Sequence, residues 1–99
     1  MTSPVITYSE TDGKGHFAAT IETTAGEAEL TISKVSDTLI IADHTAVPAS
    51  MRGTGVGRAL VETLINDARA KGQRIVPLCP FVRAHATKHR EELADVIQW

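Results

Sequence analysis

Three glycines stand at alternate positions in Arg52-Gly53-Thr54-Gly55-Val56-Gly57-Arg58, just ahead of a long helical pattern. Each glycine costs a helix about 1 kcal/mol relative to alanine, so helix formation does not account for them. One glycine would serve a tight turn or a close packing of helix on sheet. Three leave a backbone bare of side chains, whose N–H groups an anion can reach. The start of a helix adds about half a positive charge there, and Arg52 and Arg58 flank it. The chemistry indicated is phosphate binding. A dinucleotide fingerprint, G-x-G-x-x-G counted from Gly53, would place its last glycine at Arg58. A Walker loop requires Gly-Lys followed by Ser or Thr, where this chain has Gly57-Arg58-Ala59. Neither fits.

Cys79 is the single cysteine of the chain. Pro80 holds it in extended backbone and suits the first turn of a following helix. Cys79 then stands beside a helix N-terminus, where the dipole favours the nucleophilic thiolate. Free cysteine is also among the most buried residue types, so a structural role is the alternative. His44 closes the strand before the glycine turn, next to Asp43. An imidazole titrating near neutral pH suits a general base, and period-two alternation sends Asp43 and His44 to opposite faces. His85 and His89 have the i,i+4 spacing of metal ligands. The intervening Ala86-Thr87-Lys88 lacks the glutamate of a zinc protease helix. Cys79 and His44 would have to converge on the pair to complete a metal site, and no metal is expected. His16, beside a turn, carries no signal.

The elements that must position these residues follow from periodicity. Val5, Ile6 and Tyr8 open a β-prone stretch, broken by the turn residues Asp12-Gly13-Lys14-Gly15. Phe17 to Ile21 is a second strand. Ala28, Leu30 and Ile32 fall two apart, which predicts a half-buried strand with one wet face. Thr38 to Val47 is the next, and the spacing suggests an antiparallel meander. After Pro48 the period becomes helical: Val56, Leu60, Leu64 and Ala68 recur every four residues. Lys71-Gly72 is a good stop, a cation in the last turn followed by glycine. Ile75 to Leu78 is a short strand, parallel to the preceding one across a right-handed βαβ crossover. Phe81 to about His89 and Glu91 to about Gln98 read as two short closing helices.

Arg52-x-x-Gly55-x-Gly57 resembles the R/Q-x-x-G-x-G/A signature of the GNAT-type N-acetyltransferases. The order of elements around it is similar too. A very small subgroup without the usual N-terminal helices matches more closely. It is carried by Asp43-His44-Thr45-x-Val47, Arg52-Gly53-x-Gly55-Val56-Gly57, Ile75-x-Pro77-x-Cys79-Pro80-Phe81 and a later His89, from about Phe17 to Val96. The resemblance implies an α/β (α+β) GNAT-like fold. Its mostly antiparallel N-terminal sheet leads to a βαβ unit with parallel, splayed strands and short C-terminal helices. It implies acetyl-CoA, or coenzyme A, as co-substrate. The pyrophosphate would lie on the loop of Arg52, Gly53, Thr54, Gly55, Val56, Gly57 and Arg58. The pantetheine amides would pair with the strand ending at Ala46-Val47. The acetyl group would go to an unidentified small amine or protein amine, directly or through Cys79, with His44 as base. GNAT proteins often carry a tyrosine acid where this chain has His85. The alternative is a non-catalytic coenzyme A-binding module or partner subunit, in keeping with the absent acceptor-binding helices.

Composition fits one soluble domain over Met1–Trp99. The 99 residues are 42% hydrophobic and 22% charged, near the globular average, which excludes a disordered tail and a coiled coil. Ten basic residues against twelve acidic ones argue against a nucleic-acid partner. The single cysteine excludes a disulfide scaffold. Met1 to Asp12 hold no basic region followed by an apolar stretch, so no signal peptide is expected, and without a run of about 20 apolar residues no membrane partner is expected either. The expected setting is cytoplasmic, as a monomer or weak homodimer.

Overall fold

The structure is a computed structural model and describes residues 4–99. Four strands come first: β1 (Val5–Thr11), β2 (Lys14–Thr20), β3 (Ala28–Lys34) and β4 (Leu39–Ala46). A single 3-10 turn, Ala49–Met51, leads to helix α1 (Val56–Lys71). Strand β5 (Arg74–Pro77) and helix α2 (Pro80–Lys88) follow. The sheet order is β1-β2-β3-β4-β5. The first three pairings are antiparallel and β4–β5 is parallel. The meander and the βαβ unit are therefore both present. None of the described helices is long and apolar enough to cross a membrane.

The β1–β2 hairpin closes on Asp12 and Gly13 at φ 50° and 77°. A two-residue turn of this hand follows the twist of the strands and favours Asp-Gly. Alternation then sorts the sheet into two faces. Phe17, Ala19, Leu30, Ile32, Ile40 and Ala42 are buried on one face, where α1 packs on β2 and β3 with Leu60, Val61, Leu64 and Ala68 buried, and α2 packs on β4. Each large side chain fully buried in this way contributes about 1.5–3 kcal/mol. The other face carries His16, Glu29, Thr31, Ser33 and Asp43, all part-buried. Helix α1 ends at Gly72, whose φ of 68° lets its N–H and that of Gln73 return to the last-turn carbonyls.

The C-terminal segment departs from the helix expected over Glu91 to Gln98. It forms successive turns, and Ile97 then bridges to Ile75 in parallel. Ile75 N–H donates to Val96 O at 2.7 Å and Gln98 N–H to Ile75 O at 2.8 Å. The free edge of β5 captures this segment, because an edge strand offers a row of unpaired backbone groups. Arg74 fastens it, donating to the carbonyls of Asp95, Ala94 and Ile97 and to the Gln98 side chain. Arg74→Ala should therefore lower stability by about 1–2 kcal/mol, the exposed position holding the loss below that of a buried charge. Arg74→Lys should recover little, since an ammonium lacks the planar fork. Urea midpoints check this, and midpoints equal to the wild type would show that the clamp adds nothing.

Candidate functional site

Strands β4 and β5 pair only from Leu39↔Arg74 to Ala42↔Pro77. Beyond that point β4 runs on to Ala46 while the segment after β5 turns away into α2. The last tie is Cys79 N–H to Ala42 O at 2.8 Å. At the parting point β4 carries a bulge: Ala42 faces Ile32 and His44 faces Thr31, leaving Asp43 as the extra residue. Simple alternation across Asp43 and His44 is thereby lost. Ala42 and Thr45 stand opposite the buried Ile32 and Leu30, so the two residues between them both turn to the face away from α1. There Asp43 Oδ2 accepts from Ser33 Oγ at 2.5 Å and lies 4.0 Å from Lys14 Nζ. His44 is exposed on the same face.

A groove of about 500 Å³ opens where the strands part. Thr45 and Val47 form one side, Met51 and Val56 its depth, Phe81 of α2 the far side, and the glycine loop its mouth. Gly53 and Gly55 have φ of 80° and 82°, and a Cβ built at either position meets nothing within 4 Å. Their glycine identity thus serves backbone conformation and an open approach, with no packing role. Gly57 differs: its Cβ would come within 2.8 Å of the Phe81 ring. Among the described residues no hydrogen-bond partner meets the N–H groups of Gly53, Gly55, Gly57 or Arg58. They converge on the start of a 16-residue helix whose first turn holds no acidic residue. The local field is therefore positive and uncompensated.

The remaining loop residues divide by role. Arg52 is exposed at the mouth, and Arg58 is drawn to Glu62 at 2.7 Å. Thr54 is exposed, but its hydroxyl donates to Met51 O and faces Val56 N–H, so it braces the loop. Ala46 ends β4 just before Val47 enters the groove wall.

Residues 16–96 match the family model described as GCN5-related N-acetyl-transferase. The chain belongs to this acetyltransferase family. No curated protein matches it.

In this family member the three candidate catalytic residues occupy three different settings. Cys79 caps α2 and is 2% exposed, with Sγ 3.4 Å from Thr45 Oγ1. Cys79 is not itself a groove-lining residue, and Thr45, which is, touches its sulfur. His44 faces the opposite side of the sheet. His85 lines a smaller cleft of about 210 Å³ between α1 and α2, and Arg58 borders both spaces. Burial pushes the His85 imidazole below its ordinary range, and His89, with ring centroids 4.7 Å apart, adds repulsion. An imidazole kept neutral is a poor proton donor at neutral pH. Among the described residues no three or more His, Cys, Asp or Glu side chains gather to hold a metal.

Sequence reasoning quoted Thr45 within a motif but gave it no task, and it missed Met51 and Phe81 as groove walls. Phe81 had a usable signal in Cys79-Pro80-Phe81, because a helix beginning at Pro80 aims its first turn back toward the strand ends. Nothing in the sequence relates Phe81 to Gly57.

Proposed function

We propose that this family member binds acetyl-CoA in the groove and transfers the acetyl group to an amine of a small molecule or a protein, with Cys79 accepting it on the way. The observation that carries this reading is the set of four unpartnered N–H groups at the mouth of an open, partly apolar groove. Such a mouth suits a pyrophosphate, and the apolar depth of Val47, Met51 and Phe81 suits a pantetheine arm. In the first step the Cys79 sulfur forms a bond to the acetyl carbon as the bond to the coenzyme sulfur breaks. The thiol proton passes to the departing coenzyme. In the second step the amine nitrogen takes the acetyl carbon, Cys79 recovers its proton, and the proton that the acceptor ammonium must lose goes to solvent water at the open groove. His44, exposed at the bulge on the opposite face, does not line the groove and takes no part in these steps.

A coenzyme A-binding module without turnover is the second reading, and the burial of Cys79 and its distance in the fold from His85 favour it. Calorimetric titration with acetyl-CoA, paired with thiol-release assays on a panel of amines and peptides, tests both. One acetyl-CoA bound per chain is expected, with weaker binding of dephospho-CoA if Arg58 meets the 3′-phosphate. Absence of binding removes both readings, whereas binding without turnover leaves only the module.

A further inference from the structure

We infer that Thr45 is the positioning residue for Cys79, holding its sulfur against the groove and relaying its proton during acyl transfer; this rests on the role proposed for Cys79. Thr45 lies on β4 beyond the last β4–β5 pair, on the face shared with Leu30. Among the described residues its contact with Cys79 is the one side-chain hydrogen bond from β4 to the segment that follows β5. The Cys79 backbone is tied on both sides, its N–H donating to Ala42 O at 2.8 Å and its carbonyl accepting from Arg83 N–H at 2.9 Å. Only rotation about the Cys79 side chain remains to aim the sulfur, and Thr45 Oγ1 at 3.4 Å sets it. Threonine, branched at Cβ, holds its own hydroxyl in few rotamers.

The placement of this hydroxyl gives it a second task. Thr45 lines the groove, and its hydroxyl touches the nearly inaccessible Cys79 sulfur beside it. A hydroxyl both donates and accepts. Thr45 accepts the Cys79 proton on one side and donates its own toward the coenzyme sulfur on the other. Bonds and protons balance: one thiol and one thioester give one thioester and one thiol, and Thr45 ends as it began. The hydroxyl then donates to the Cys79 sulfur whenever that sulfur carries negative charge.

The test uses the full chain with Thr45→Val, which keeps the shape and removes the hydroxyl, and Thr45→Ser, which keeps the hydroxyl. Three readouts are taken: acetyl-CoA affinity by calorimetry, the rate of acetyl appearance on Cys79 by mass spectrometry, and the rate of Cys79 alkylation by iodoacetamide. Thr45→Val should slow both reactions of the sulfur about tenfold, as loss of one hydrogen bond does, with the melting temperature little changed, and the measured affinity separates any effect on binding. Thr45→Ser should recover most of each rate. Equal rates in Thr45→Val and wild type, or an equal loss in both variants, overturn the inference. If wild-type Cys79 takes no acetyl, the covalent reading fails, and alkylation alone then decides for or against Thr45. Should Thr45→Val melt early, Thr45→Ala takes its place in the same comparison.

Discussion

Gly55→Glu is expected to remove acetyl-CoA binding. The position has φ of 82°, and a Cβ there points into open space at the mouth of the groove. A glutamate would set its carboxylate where the proposed pyrophosphate lies. Two like charges about 4 Å apart near a protein surface repel by about 4 kcal/mol, which is about a thousandfold in affinity. The left-handed backbone adds a separate cost of about 1–2 kcal/mol that falls on folding. Gly55→Asn divides the two effects, since asparagine tolerates that backbone and carries no charge. Calorimetry should show no heat for Gly55→Glu and weakened binding for Gly55→Asn, with both chains folded by their melting curves. Unchanged affinity in Gly55→Glu would remove the loop from the site.

Cys79→Ala carries the second large effect. If the sulfur takes the acetyl group, its loss should cut turnover by at least about a hundredfold, the lower range for one positioned catalytic group. Acetyl-CoA affinity should hold, because Cys79 is buried and does not line the groove, whereas Thr45, Val47 and Phe81 do. Mass spectrometry of the wild type, trapped with acetyl-CoA before an amine is added, should find acetyl on Cys79. Turnover retained in Cys79→Ala, with no acetyl on the wild-type sulfur, would assign the reaction to direct attack by the amine. Cys79→Ser is the poorer choice of variant, since it places a hydroxyl in a setting that is 2% exposed.

Much of the scaffold was legible because its signals are local. Asp12-Gly13 announces a hairpin through the positive φ both residues adopt. The spacing of Val56, Leu60, Leu64 and Ala68 marks the face of α1 that the sheet covers, and all four are buried. Gly72 closes the helix in left-handed backbone where a C′ glycine was expected. The last segment was misread for the same reason. Leu93, Val96 and Ile97 are spaced as on a helix, yet they are buried along a series of turns that ends on the edge of β5. Over so short a stretch propensity is weak, and the Arg74 clamp and the open strand edge decide.

At the glycine turn, the sequence by itself determined that a bare backbone precedes a long helix between two arginines. It also determined the strands on either side and the single cysteine with its proline. Each of these depends on residue type or on spacing of a few positions along one element. Only the tertiary structure decided what those features face. The bulge at Asp43 turns His44 away from α1, and the Phe81 ring explains Gly57. Thr45, 34 positions from Cys79, supplies the neighbour of its sulfur. These relations are contacts between distant parts of the chain. They follow from where β4 and β5 part and how α2 packs beside α1, which no local pattern of residues encodes.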